Sequence, residues 1–232
     1  MILEICANSY QSAMNAQKAG AHRIELCSEL SVGGITPSYG LLKKVMHNLH
    51  IPVQVLIRPR SGDFHYSNAE FDIMKENILQ CKNLSCAGIV SGVLNIDNSI
   101  DIKRTKELIE LSKPMSFTFH RAFDVVPKPK ESLLELIKMG VHRLLSSGLQ
   151  EKAEDGIEVL IELQKMAEDK LIVMPGSGIS PINSNLFKSA GFTEIHSSAS
   201  KDISENTHSY FGNTPQTISD ISTIKNILNT IA

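Results

Sequence analysis

The sequence carries no surplus of charge of one sign: 23 lysines and arginines stand against 25 aspartates and glutamates, a formal net charge of -2 over 232 residues. A chain so balanced offers no broad basic surface to nucleic acid, so any positive charge that matters acts locally. Long apolar runs are missing too. None approaches the roughly 18 uninterrupted residues that a membrane-spanning helix needs, which argues against a membrane protein. Cysteine is scarce, at four residues, and forms no dense framework of the kind that staples small secreted domains; free thiols in a reducing compartment are expected. The chain enters directly into Ile2-Leu3-Glu4-Ile5, without a charged segment, a long apolar core or a small-residue cleavage site. No secretion signal is read there, and a cytoplasmic protein is the expectation.

What is present is a rhythm. Hydrophobic residues make up 42% of the chain, enough at this length for a sizeable core in one domain. Eight short apolar runs begin at Ile2, Arg23, Val53, Ala87, Met115, Arg143, Leu171 and Glu194, and each closes on charged, thiol, hydroxyl or glycine residues. Segments of helical period or composition follow them, among them Ser38 to Asn48, Asn68 to Leu84, Asp101 to Ser112, Glu131 to Met139 and Glu154 to Glu168. Ser9, Ser38 and Ser180-Pro181 read as helix starts, and Gly20, Gly140 and Gly191 as stops. The spacing suits one strand, one crossover helix and two loops per unit. Eight such units predict an α/β fold, a single-domain TIM-type (β/α)8 barrel over residues 1–232. A doubly wound open sheet is the alternative, but it gathers its chemistry in one crevice, whereas nearly every strand tail here is polar. Residues 203–220, rich in Ser, Thr, Asn, Gly and Pro, break the rhythm. They read as a long polar loop, either a lid over the mouth or a plain surface excursion, before a last helix from Ile221 to Ile231.

Side chains alternate along a strand, so Glu4 and Cys6 share one face of the first run, and Glu25 and Cys27 share one face of the second. Neighbouring strands lie about 4.8 Å apart, which sets two thiols side by side. Copper(I) is the soft ion that such a pair suits; zinc demands further ligands, with His196 the nearest third. Ordinary buried cysteines are the plain alternative. Cys81 and Cys86, spaced C-x4-C at a helix end, match no zinc spacing and read as structural.

The third tail, Arg58-Pro59-Arg60-Ser61-Gly62-Asp63-Phe64, delivers two guanidiniums toward the mouth. Their forked geometry recognises carboxylate or phosphate, unless they pair internally with Glu4, Glu25 and Asp63. In Thr118-Phe119-His120-Arg121-Ala122-Phe123-Asp124, His120 is a candidate general acid or base, oriented by Glu25 or Glu4 across the barrel, with Arg121 and Asp124 in the following loop. A hydrogen-bonded structural histidine is the competing reading. The loops around Gly176-Ser177-Gly178 and His196-Ser197-Ser198 hold the small residues with which barrels cradle an oxyanion, naming Gly178 and Ser198 as anion contacts.

Several of these strings, taken in order, resemble the CutC family, known as the copper homeostasis protein family. They are Glu4-Ile5-Cys6, Arg23-Ile24-Glu25-Leu26-Cys27, Gly33-Gly34-Ile35-Thr36-Pro37-Ser38, Ile57-Arg58-Pro59-Arg60, Thr118-Phe119-His120-Arg121-Ala122-Phe123-Asp124 and His196-Ser197-Ser198. The likeness runs from Ile2 to about Ser200. It implies a TIM-type barrel, a cytoplasmic location, a homodimer or larger homo-oligomer, and proposed copper(I) binding by two strand-end cysteines that match Cys6 and Cys27. The residues themselves also admit a barrel enzyme of isomerase, lyase or hydrolase type. It would act on a small phosphorylated or carboxylated metabolite, with Arg58, Arg60, Arg121, Gly178 and Ser198 holding the anion and His120, Glu25 and Asp124 catalytic. Three arginines near a mouth oppose cation entry unless an anion or a thiolate pair balances them.

Overall fold

The computed structural model describes residues 1–203 and 216–232. Eight parallel strands follow one another around a barrel: β1 (Ile2–Ala7), β2 (Arg23–Leu26), β3 (Val53–Leu56), β4 (Gly88–Ser91), β5 (Ser116–Phe119), β6 (Arg143–Ser146), β7 (Ile172–Pro175) and β8 (Glu194–Ser197). Each pairs with its neighbour in sequence, β1 pairs with β8, and a bridge between Gly176 and His196 closes the ring. Every strand starts within one residue of the run that predicts it. Helices α1 (Tyr10–Ala19), α2 (Tyr39–Asn48), α3 (Asn68–Asn83), α4 (Ile102–Ser112), α5 (Pro129–Met139), α6 (Ile157–Ala167) and α7 (Ser184–Ser189) link the strands, and α8 (Ile221–Ile231) follows the last. No helix among the described residues is long and apolar enough to cross a membrane.

The caps act as their chemistry demands. Ser9 and Ser38 accept the N–H groups of Ser12 and Leu41, and Gly20 and Gly140 end α1 and α5 in the left-handed region that a side chain disfavours. Ser180-Pro181 does not open α7. Asn183 accepts the Ser180 N–H and donates to the Gly178 carbonyl, which holds the segment as a turn and delays the helix to Ser184.

Within the region read as a loop over 203–220, Thr217–Ser219 is a strand. Ser200–Asp202 (β9) and Thr217–Ser219 (β10) pair antiparallel, and Asn8 and Asn15 tie β10 to the first βα loop and α1. Residues 204–215, and with them the lid reading, lie outside the described residues.

Alternation along the strands divides the protein into two cores. Leu3, Ile5, Ile24, Leu26, Val55 and Ile89 face outward and pack beneath the helices. The residues between them face the barrel axis, and on β1, β2 and β8 these are charged. Arg23 of β2 bridges Glu4 of β1 and Glu194 of β8, and Arg143 of β6 donates to Glu194 at 2.9 Å. Two guanidiniums and two carboxylates thus balance inside the ring. Nearby, Gly88 opens β4 because a Cβ there would lie 1.9 Å from Gln54 Oε1 and 2.7 Å from the Ser116 carbonyl.

Removing one partner of such a network leaves the others charged and dry. Arg23→Met is expected to destabilise the fold by about 3–5 kcal/mol, read as a lowered urea midpoint. A loss below about 1 kcal/mol would show that the network is not what holds these strands.

Candidate functional site at the barrel mouth

The strand tails meet in a cavity of about 490 Å³ at the C-terminal end of the barrel. On its floor Cys6, from β1, and Cys27, one residue past β2, face each other with their sulfurs 3.6 Å apart. The Cys27 N–H donates to the Ala7 carbonyl, so the ladder between the two strands continues to the thiols and sets their spacing. Leu56, Val90 and Leu30 pack around them. Gly34 crosses over the pair, where a Cβ would lie 2.7 Å from Leu56 and 3.6 Å from the Cys27 sulfur. The hydrogen bond with Cys27, burial and the nearby Glu25 and Glu4 charges all push the Cys6 thiol well above its ordinary pKa. Cys6 is therefore a thiol, not a thiolate, at neutral pH.

Beneath the sulfurs lies a chain of ionisable groups. His196 Nδ1 is 2.8 Å from Glu4, and its Nε2 is 3.4 Å from Glu25. Burial works to raise the Glu4 pKa, but the His196 hydrogen bond and the Arg23 charge outweigh it and bring it to about 2. Glu25 has no such cation fully to itself. Burial, with the Glu4 charge, pushes it up to about 7 against the pull of His196 and the Cys6 thiol. For His196, burial disfavours the charge, yet the Glu4 hydrogen bond and both carboxylates raise its pKa above the usual histidine value. The ligand atoms of Cys6, Glu25 and His196 all lie within 4.8 Å of one another. His196, read from the sequence only as a third zinc ligand, is thus the hub of the floor.

Among the described residues His120 has no carboxylate partner of the kind expected. Its Nδ1 accepts the Ala122 N–H at 3.2 Å, which caps the short turn over Arg121–Val125, while Phe64 packs against the ring at a tilt of 53°, centroids 4.9 Å apart. Nε2 is buried and has no partner among the described residues. Burial, assisted by the Arg58 charge, lowers the His120 pKa to about 3. The ring is held neutral, a hydrogen-bond donor rather than a base poised at neutral pH.

Asp124 is saturated. It accepts from Ser146 Oγ (2.6 Å), Ser147 N (3.1 Å) and Ser147 Oγ (2.9 Å), and it pairs with Arg121 at 2.8 Å. Asp124 and Arg121 clamp the fifth βα loop to the sixth. Among the mouth arginines, Arg60 departs from the expectation. It turns to Glu70 (2.6 Å) and Asp63 (2.9 Å), lies against Tyr66, and does not line the cavity. Ser67-x-x-Glu70 is the capping box of α3, and the anchored Glu70 draws the guanidinium outward.

Arg58 does line the cavity, 95% hidden from solvent. It donates to the carbonyls of Val32, Gly34 and Gly62 at 2.7–2.9 Å and lies over Phe64, and no carboxylate pairs with it among the described residues. Gly178 and Ser198 face the same cavity. Ser177, between the two glycines, sits at φ 91, held there because its hydroxyl donates to the Glu151 carbonyl and its own carbonyl accepts the Ala153 N–H. Cys81 and Cys86 are buried in the outer core, away from this site.

An eight-stranded parallel barrel with its polar strand tails collected in one mouth is a TIM-type (β/α)8 barrel. A model of the CutC family matches residues 1–201, and the chain belongs to that family. A family protein CutC of Chromobacterium violaceum is 45% identical over 199 residues, covering 85% of this chain and 81% of that one. The corresponding protein of Photorhabdus laumondii is likewise 45% identical over 199 residues, covering 86% and 80%. Among solved structures, a CutC from Streptococcus agalactiae, whose assignment to copper homeostasis is provisional, superposes with a TM-score of 0.81 at 33% identity over 85% of this chain and 98% of that one.

The raised pKa of Glu25 has a signed consequence. Its carboxyl is neutral in the fold up to about pH 7 but ionises near 4.5 in the unfolded chain, so its contribution is complete below pH 4.5 and is lost as pH rises through about 7. His196, raised as well, adds a loss of the same sign at higher pH. Glu25→Gln should flatten the fall in stability between pH 4.5 and 7.5 by as much as about 3 kcal/mol. Urea midpoints taken across that range measure it, and an unchanged slope would contradict the assignment.

Proposed function

We propose that this chain is a cytosolic copper homeostasis protein that takes up copper(I) on the thiols of Cys6 and Cys27. The observation that carries the reading is the sulfur pair, 3.6 Å apart on the floor of the cavity. Copper(I) is soft, prefers thiolate and accepts a low coordination number, and the apolar packing of Leu56, Val90 and Leu30 leaves few hard oxygen donors to recruit another ion. Glu25 is the nearest of these and stands beside Cys6 and His196. Membership of the CutC family, and the copper homeostasis assignment of the Streptococcus relative, support the same reading.

The protonated state of Cys6 sets how uptake proceeds. Copper(I) displaces the thiol protons, and Glu25, with a pKa of about 7 and in hydrogen-bond reach of Cys6, is placed to receive one. The Arg58 guanidinium, which opposes a free cation at the mouth, becomes compatible with the ion once the thiolates carry negative charge. The reading includes assembly as a homodimer or larger homo-oligomer, which sedimentation of the purified chain measures.

In a copper(I) competition titration under reducing, anaerobic conditions, the wild-type chain is expected to bind one ion, more tightly at pH 8 than at pH 6 because binding releases protons. The Cys6→Ser/Cys27→Ser double variant is expected to lose that binding. Equal affinity in the double variant would remove the thiols from the site and the proposal with them.

A further inference from the structure

The floor of the mouth holds more donor atoms than a two-sulfur copper site uses. Besides Cys27, the Cys6 sulfur has two further neighbours, a Glu25 carboxylate oxygen and a His196 ring nitrogen, and these three donor atoms all lie within 4.8 Å of one another. Each of the three residues is more than nine-tenths hidden from solvent, yet each borders the cavity, so an ion can reach them. Glu25 forms no ion pair with a lysine or arginine among the described residues; its ion-pair partner there is His196 Nε2, at 3.4 Å. A carboxylate so buried is costly to ionise without a cation beside it. The separation is long for a hydrogen bond, but it is close to the roughly 3.3 Å that a tetrahedral ion sets between an oxygen and a nitrogen ligand at the usual bond lengths. The imidazole is turned to suit. Glu4 pairs with Nδ1 at 2.8 Å, and Arg23 holds the other oxygen of Glu4, so Nε2 is the nitrogen left on the side of Glu25. A carboxylate on the far nitrogen is the outer partner by which metal-binding histidines are oriented.

We infer that Cys6, Glu25 and His196 form a second metal site, for zinc(II), which shares the Cys6 sulfur with the copper(I) pair. One thiolate, one imidazole and one carboxylate make a mixed donor set of the kind zinc takes, whereas copper(I) favours sulfur and magnesium or calcium asks for oxygen throughout. Cys27, which completes the copper(I) pair, is not a member of this group. Three protein ligands leave zinc one coordination position, and the cavity that all three border supplies water or a small oxygen donor to fill it. That arrangement is the one zinc adopts where it does chemistry, in contrast to closed four-ligand structural sites. On binding, zinc bonds to the Cys6 sulfur and the thiol proton leaves to water. The inference does not rest on copper(I) uptake; the two ions compete for one sulfur.

Zinc(II) is the probe, titrated into the reduced, metal-free protein against a chromophoric chelator, with cobalt(II) as its spectroscopic stand-in. Wild type is expected to bind one zinc ion, and its cobalt(II) form to show a sulfur-to-metal charge-transfer band together with the intense visible bands of four-coordinate geometry. Cys6→Ser should remove the charge-transfer band. Glu25→Gln and His196→Gln, each checked for folding by circular dichroism, should weaken zinc binding about tenfold or more, the least that loss of a partner beyond the ligands costs. Cys27→Ser should keep zinc and the cobalt(II) charge-transfer band while losing copper(I), which separates the two sites; a Cys27→Ser chain that kept both ions would overturn the copper reading alone. Absence of zinc binding by wild type, wild-type zinc affinity in Glu25→Gln, or loss of zinc in Cys27→Ser would each overturn the zinc assignment.

Discussion

The charged knot of Arg23 with Glu4 and Glu194 is the constraint on which the site depends. A barrel interior excludes water, so each of these groups is tolerable only while its partners stay in place. The knot joins β1, β2 and β8, the three strands whose tails carry Cys6, Cys27 and His196. It also anchors one oxygen of Glu4 and leaves the other to His196. The order of charges from the barrel floor to the sulfurs therefore follows from one guanidinium held between two carboxylates.

Above that knot the mouth has two chemical halves. Strands one, two and eight supply thiols, a carboxylate and an imidazole in tight contact, a donor set for a soft ion. The third loop supplies the Arg58 guanidinium, and the seventh and eighth supply Gly178 and Ser198. The halves share one cavity, and Glu25, His196 and Arg58 all border it. Field effects therefore pass between them: thiolates formed on one side offset the guanidinium on the other.

Much of this was legible in the sequence. Alternation along Ile2-Leu3-Glu4-Ile5-Cys6 and Arg23-Ile24-Glu25-Leu26-Cys27 places both thiols inward, because a strand has a period of two whatever surrounds it. The same alternation carries Arg23 inward on the face of Glu25, a signal present in the sequence and not used. Side chains in loops obey no such rule. Arg60 and Arg58 are two residues apart and looked equivalent, yet Glu70 draws one out to the surface while the carbonyls of Val32, Gly34 and Gly62 hold the other inside. Asp124, a catalytic candidate by type, is spent on Ser146, Ser147 and Arg121.

The sequence by itself determined the βα rhythm, the barrel and the inward pair of cysteines, since all three depend on local period and on spacing along the chain. Tertiary structure alone decided which ionisable groups are paired and which are left over. Closure of β8 onto β1 puts His196 between Glu4 and Glu25, while the loops determine that His120 has a backbone N–H for a neighbour instead of a carboxylate. The protonation state of each group follows from those neighbours and from burial, quantities that exist only when distant segments meet.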